Sequence, residues 1–219
     1  MPRKILVATL VLMLATVVDA GAKGAETLTQ NEFMTAESLD SGMSQIGVFF
    51  SSGDGYRSFY PSFRYGLGSL FEVGIRGGVS TIDTGGPFSQ TVNTGSDNKA
   101  AMFVGGDIKY QLVKSTEGVP VDMALDLGLN NHFIGGNATE LTFQTTFSRS
   151  FPLTDVGYKI TPYGGLEVSA LYGSGFPKHG TDYYVFAGAE WKMSQKSLLY
   201  LEIKTGAHTV AGLGIRFEY

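Results

Sequence analysis

The chain has 219 residues, a mean hydropathy near zero, and a formal charge of −4 from 16 basic and 20 acidic side chains. It contains no cysteine, which excludes disulfides, thiolate metal sites and a cysteine-linked lipid anchor. The mildly acidic charge without a basic run gives no reason to expect nucleic acid as a partner, and no stretch beyond the N terminus is apolar enough for a spanning helix.

The N terminus has the pattern of a secretory signal peptide. Arg3 and Lys4 precede an uncharged apolar run, Ile5–Val18, and Ala20-Gly21-Ala22 supplies small residues for cleavage. The apolar run is shorter than the ~20 residues that a spanning helix needs. We therefore predict that residues 1–22 are removed on export.

The remaining chain divides into a polar leader, residues 23–42, and a barrel domain, residues 43–219. Within the second part, large apolar and polar side chains alternate, as is typical of half-buried β-strands. Most segments reach the ~9–11 residues that a tilted strand needs to cross a bilayer, and their even number suits a barrel. Ten strands are predicted, with eight and twelve left open. The predicted strands are Gln45–Ser51, Arg57–Tyr65, Leu70–Val79, Ala101–Leu112, Val121–Leu129, Thr139–Phe151, Tyr158–Tyr172, Tyr183–Met193, Leu199–Thr205 and Thr209–Tyr219.

The predicted connections suggest which end of the barrel faces outward. The longest, Thr81–Lys99, is rich in Gly, Thr, Ser and Asn, and it falls on the external side if the chain ends in the periplasm. Long external loops with short periplasmic turns are the outer-membrane arrangement. Aromatic residues such as Trp191 and Phe217 fall near one predicted rim and Tyr172 and Tyr183 near the other, as in interfacial girdles.

The last seven residues, Leu213–Tyr219, alternate in the same way and end on an aromatic side chain. Their pattern of Gly214, Ile215, Phe217 and Tyr219 resembles the carboxy-terminal signal of bacterial outer-membrane β-barrels, which the assembly machinery reads in that class. The resemblance covers these seven residues as a motif and the mature chain as a pattern, without indicating a subfamily.

This resemblance implies an all-β fold, a closed antiparallel up-and-down transmembrane β-barrel. It implies a location in the outer membrane of a Gram-negative bacterium after export by the cleaved signal peptide. Outer-membrane lipid and lipopolysaccharide, the barrel assembly machinery and periplasmic chaperones are the partners that it implies. The oligomeric state stays open.

The polar faces of the strands carry nearly balanced charges. A buried charge needs a partner, so we expect a largely filled, salt-bridged interior and a structural or surface-interaction role. A narrow pore for small polar solutes is the alternative. A barrel of about eight strands is just filled by its own side chains, and a slightly wider barrel could leave a narrow channel. The predicted lumen charges are Arg64, Glu72, Arg76, Asp107, Lys109, Asp122, Asp126, Glu140, Lys159, Glu167, Glu190, Lys192, Glu202, Lys204, Arg216 and Glu218.

Two further alternatives are an outer-rim enzyme that hydrolyses lipid A or peptides, and a soluble ligand-binding barrel. His132, His179 and His208 fall in predicted outer connections, where a histidine near a carboxylate such as Asp182 could act as a general base or bind a metal. Their spacing matches no familiar motif, so we expect no enzyme, cofactor or metal site. A soluble barrel would need apolar side chains inside and charged side chains outside. Its surface would also need more charged residues than this chain has, since only 16% of its residues are charged.

Deletion of Tyr219 tests the terminal motif. We expect refolding in detergent to change little, because only one interfacial contact is lost, while membrane insertion in cells falls sharply. Cell fractionation and the amount of folded barrel measure the difference. Normal insertion of this deletion and of a Phe217→Ser, Tyr219→Ser double variant would contradict a signal role.

Overall fold

The structure, a computed structural model, describes residues 32–53, 56–83, 98–116, 119–133, 137–153, 158–173 and 180–219. The predicted signal peptide and the first part of the leader lie outside these residues. Across the described ranges, no helix is long and apolar enough to cross a membrane.

Ten strands form one closed antiparallel sheet. Each strand pairs with the next along the chain, and the last pairs with the first, from Gln45 opposite Glu218 to Gly53 opposite Val210. The predicted fold class and the strand number are therefore confirmed. The strands are β1 (Ser44–Gly53), β2 (Tyr56–Gly66), β3 (Phe71–Asp83), β4 (Asn98–Val113), β5 (Asp122–Phe133), β6 (Asn137–Ser148), β7 (Lys159–Gly173), β8 (Gly180–Lys192), β9 (Ser197–Thr205) and β10 (Thr209–Glu218).

The two faces of the sheet have opposite chemistry. Large apolar side chains point outward, and Met102 and Leu127 are 65% and 51% exposed. Charged side chains point into the lumen, where Glu140 and Lys204 are 0% exposed. An apolar exterior around a charged interior is the arrangement of a transmembrane barrel. A soluble barrel needs the reverse, so that alternative is excluded.

Several strand ends differ from the sequence prediction. The ladder between β3 and β4 continues to Asp83 opposite Asn98, so the predicted Thr81–Lys99 loop is shortened to residues 84–97, which lie outside the described residues. The sixth predicted strand ends at Ser148 rather than Phe151. Beyond it, the two-residue segment Phe151–Pro152 pairs with the start of β7.

Pro61 interrupts the sheet locally, as its sequence position predicts. The ladder between β2 and β3 pairs Phe59 with Val79 and resumes only at Ser62 opposite Arg76. Proline has no N–H to donate to a ladder, so the neighbouring pairing lapses over two positions.

The first strand begins and the last strand ends at the same rim, which we call the terminal rim. It carries the start of β1, the end of β10 and the connections 67–70, 114–121, 149–158 and 193–196. The opposite rim carries the connections 54–55, 84–97, 134–136, 174–179 and 206–208. The longest connection, residues 84–97, lies on the opposite rim, but the other connections there have two to six residues and those of the terminal rim have four to ten. The predicted contrast of long external loops with short periplasmic turns therefore rests on this one connection.

Leu127→Arg tests the outward face in a bilayer. Leu127 lies near the middle of β5, so an arginine there should cost about 2–4 kcal/mol of unfolding free energy. Denaturant-induced unfolding in phospholipid vesicles measures this cost, with Leu127→Ala as the matched control. Equal stability of the two variants would contradict contact of this face with lipid.

Candidate functional site

The described part of the leader lies inside the barrel. Residues Glu32–Asp40, which we call the strap, run from the middle of the lumen to the terminal rim, and Phe33, Met34 and Ala36 are fully buried. The strap forms no strand. Its position in the lumen is not among the sequence predictions, and the signal that points to it is the apolar pair Phe33-Met34 within an otherwise polar leader.

Side chains of the barrel wall accept hydrogen bonds from the main chain of the strap. Backbone N–H groups buried away from water require such partners, and here no strand supplies them. The pairs are Glu32 N–H and Phe33 N–H to the Glu202 carboxylate (3.2 and 3.0 Å), Ala36 N–H to Ser148 Oγ (3.0 Å), Ser38 N–H to Gln111 Oε1 (3.1 Å), and Leu39 N–H to Glu72 Oε2 (3.0 Å).

Lys109 supplies the complementary contacts to carbonyl groups of the strap. Its Nζ donates to Thr35 O at 3.2 Å and to Glu37 O at 2.9 Å. The same ammonium pairs with Glu72 at 2.9 Å. One lysine therefore joins the wall charges to the strap backbone.

The strap also places two side chains deep in the lumen. The Glu32 carboxylate pairs with Arg76. The Phe33 ring stacks on Phe49 with centroids 4.8 Å apart. Gly212 makes room for this ring, because a Cβ there would lie 2.4 Å from Phe33 Cζ. The backbone of Phe33 has a φ of 50°, which is an uncommon conformation for a bulky residue. The contacts in the lumen therefore hold Phe33 in a strained backbone conformation.

At the terminal rim, Glu37 anchors the strap to Lys159 over 2.8 Å. Burial alone would raise the pKa of Glu37, but the Lys159 ammonium, with Lys114 and Lys109 nearby, holds it below its ordinary value. Both side chains are partly exposed, so the pair positions the strap more than it stabilises the fold.

A central charge cluster lies beside the strap. Arg64 pairs with Glu72 and, over 2.5 Å, with Asp107. Arg76 shares Asp107 at 3.3 Å and donates to Asn130 at 2.9 Å. Together these residues cross-link β2, β3, β4 and β5 through the lumen.

A second group of buried charges lies nearer the opposite rim. Lys204 pairs with Glu167 over 2.7 Å, with both side chains fully buried. Glu140 accepts a hydrogen bond from Ser169 at 2.7 Å and contacts His132 Nε2 at 3.2 Å. These contacts connect β5, β6, β7 and β9.

Aromatic side chains complete the filling of the lumen. The Arg216 guanidinium lies 4.8 Å from the Phe49 ring centroid and 4.7 Å from that of Tyr200. The Tyr200 hydroxyl donates to Glu190 at 2.5 Å, and Tyr163 donates to Glu202 at 3.0 Å. Two predicted lumen carboxylates, Glu190 and Glu202, thus accept hydrogen bonds from tyrosine hydroxyls. The sequence prediction of a salt-bridged interior did not include such partners.

The structure buries most of the sixteen predicted lumen charges and brings most of them into the contacts just described. Asp122 is also buried and accepts hydrogen bonds from Gln111 and Ser115, while Asp126 lies opposite Gln144 on β6. Three positions are half-buried at the terminal rim. They are Lys159, Lys192 and Glu218, and the last two pair over 2.9 Å.

Of the three histidines predicted in outer connections, His132 lies elsewhere and His179 lies outside the described residues. His132 was expected in an outer connection, but it lies on β5 with its side chain buried in the lumen, because β5 continues to Phe133. His208 is in a connection and is buried, and His179 lies outside the described residues. In the described part of the chain, no three His, Cys, Asp or Glu side chains are grouped to hold a metal.

The terminal motif occupies the seam between the first and last strands. Gly214 faces the lumen against the Phe49 ring, while Ile215 and Phe217 face outward. Tyr219 is 63% exposed and exchanges two backbone hydrogen bonds with Ser44, at 2.9 and 3.2 Å.

A polar cavity of about 230 Å³ remains at the terminal rim between the strap and the wall. Both basic and acidic side chains line it. They include Lys114, Lys159, Lys192, Glu37, Glu190 and Glu218.

Lys204→Met tests the buried pair with Glu167. Removing one partner leaves an uncompensated buried charge, so the unfolding free energy should fall by about 3–5 kcal/mol. The double variant Lys204→Met, Glu167→Leu should recover most of that loss. Denaturant unfolding in vesicles measures both, and a double variant no more stable than the single one would show that the pair is not the main interaction.

No family model matches this chain, and no curated protein does. The chain is similar to solved bacterial outer-membrane barrels. The N-terminal β-barrel domain of Pseudomonas aeruginosa OprF is 13% identical over 83% of this chain and 100% of that one, with a TM-score of 0.38. The β domain of the Bordetella autotransporter BrkA is 11% identical over 82% and 100%, with a TM-score of 0.47. An outer-membrane channel from Pseudomonas putida F1 is 10% identical over 89% and 100%, with a TM-score of 0.44. Likenesses at this level indicate neither a subfamily nor an activity, and the barrel rests on its own strand pairing.

Proposed function

We propose that this protein is an integral barrel of the Gram-negative outer membrane with a closed lumen and a structural or surface-interaction role. The observation that supports this most directly is the filling of the lumen by the strap and the central charge cluster. Solute would have to displace both to pass.

The location rests on three features. The N-terminal sequence has the pattern of an export signal, the outer face of the barrel is apolar, and the chain ends on an aromatic strand. In this placement the terminal rim faces the periplasm, and the connection over residues 84–97 faces outward. Lipopolysaccharide and outer-membrane lipid then surround the barrel, and periplasmic chaperones and the barrel assembly machinery deliver it.

The interior chemistry favours a non-enzymatic role. His132, which contacts the Glu140 carboxylate, is buried against Glu140 and the Phe103 ring. A general base needs to reach the proton that it abstracts from a substrate. The contacts of His132 instead lock it into the wall of the lumen.

A narrow pore for small polar solutes is the second candidate. The cavity of about 230 Å³ at the terminal rim favours it, because its lining is charged and it extends between the strap and the wall. Such a pore would conduct only if the strap left space beside it.

Planar-bilayer recording of the refolded full-length protein distinguishes the two. We expect a silent bilayer, because the strap and the charge cluster occupy the lumen. Heat-dependent gel migration and protease resistance of the same sample verify that folded barrel has inserted. Stable conductance steps from a sample that passes these controls would contradict the closed barrel and support the pore.

A further inference from the structure

We propose that the half of the lumen next to the terminal rim is a binding site for an extended peptide, and that the strap is its exchangeable occupant. The ligand class is a peptide with an acidic residue, then an aromatic residue, then a second acidic residue four positions further on. Glu32, Phe33 and Glu37 supply this pattern in the chain itself.

The wall contacts the strap as a peptide-binding protein contacts its ligand. Glu202, Ser148, Gln111 and Glu72 accept five main-chain N–H groups, and Lys109 donates to two main-chain carbonyls. Main-chain contacts of this kind give affinity without regard to sequence, whereas pockets for side chains give specificity.

Three side-chain contacts supply that specificity. Arg76 pairs with the first acid deep in the lumen, and Lys159 pairs with the second at the rim. Between them, the space above Gly212 and beside Phe49 admits a planar ring. A ligand lacking the ring would leave this space empty.

Four wall residues that contact the strap, Arg76, Lys109, Glu202 and Gln111, also have partners on the barrel itself. Arg76 contacts Asp107 and Asn130, and Lys109 pairs with Glu72. Glu202 and Gln111 likewise have partners on the barrel: Tyr163 for the first and Asp122 for the second. A buried charge without a partner would be costly. A lumen that can lose the strap therefore needs such partners within the barrel wall.

The strap is held in a way that allows exchange. It pairs with no strand, and it is held by hydrogen bonds, ion pairs, one stacked ring and the burial of Met34 and Ala36. A turn joins it to β1, with Met43 N–H bonded to Asp40 O at 3.0 Å. Tethering places the strap at an effective concentration of the order of millimolar, so a free peptide competes only when it is concentrated or the tether is cut.

A cleavable tether tests the site in the full-length protein. A protease recognition sequence is inserted after Ser41, which is exposed, so the barrel folds with its strap before the tether is cut. After gel filtration, mass spectrometry measures the retained segment, and fluorescence anisotropy follows binding of a labelled peptide of residues 23–41.

We expect the labelled peptide to bind the cut barrel saturably, either in the empty lumen or by exchange with the retained segment. The uncut barrel should bind it at least about tenfold more weakly, because the tethered strap competes. A peptide with Glu32→Gln and Phe33→Ala should also lose about tenfold or more in affinity. The proposal is overturned if the segment leaves and nothing rebinds, if it stays and never exchanges, or if the altered peptide binds equally well.

Gly212→Ala in the cut barrel identifies where the peptide sits. The added methyl group should weaken binding of the natural peptide but not of the Phe33→Ala peptide. If Gly212→Ala does not fold, the barrel variant Lys159→Ala and the peptide variant Glu37→Ala form an equivalent double-mutant cycle at the rim. Equal loss for both peptides in the cycle that is measured would place the peptide elsewhere and overturn the proposal. Fluorescence anisotropy measures peptide binding independently of conductance. Conductance by the intact barrel would therefore contradict the closed-barrel function without deciding whether the peptide site exists.

Discussion

The constraint on which this structure depends is the neutralisation of the charges that are buried inside the barrel. The exterior is apolar because it faces lipid, so polar side chains collect inside, where each one loses its hydration. Arg64, Arg76 and Lys109 lie among Glu72 and Asp107, and the five are arranged so that every cation has a carboxylate within reach. The interior of this barrel is thus a polar core.

The closed hydrogen-bond ladder determines which side chains enter that core. Pairing of β1 with β10 sets a continuous register around the barrel, and a shift of one residue would turn every charge toward lipid. Small residues then decide how closely the interior packs. Gly74 lies where a Cβ would meet both Asp107 and Arg64, so a side chain at that position would displace the paired ends of these two residues.

The sequence predicts the barrel wall well and the lumen contents only in part. Alternation along segments such as Val121–Leu129 is a direct consequence of strand geometry, so strands, faces and lumen charges can be predicted without a structure. Strand ends are harder, because pairing between Asp83 and Asn98 depends on a distant partner. For the same reason His132 was assigned to a loop. The strap was missed because main-chain contacts leave no periodic pattern in a sequence.

The strap and the charge cluster fill the same space by different physics. The cluster is made of long side chains fixed to strands, and its members satisfy one another across β2 to β5. The strap brings its own main-chain groups, and the wall meets them with spare hydrogen-bonding capacity: a further acceptor site on Glu72 Oε2, which also pairs with Lys109, and the remaining protons of Lys109. A carboxylate has two acceptor oxygens and an ammonium three donors, so one partner does not exhaust either. That surplus lets the wall bind the main chain of the strap while Glu72 and Lys109 remain paired with each other.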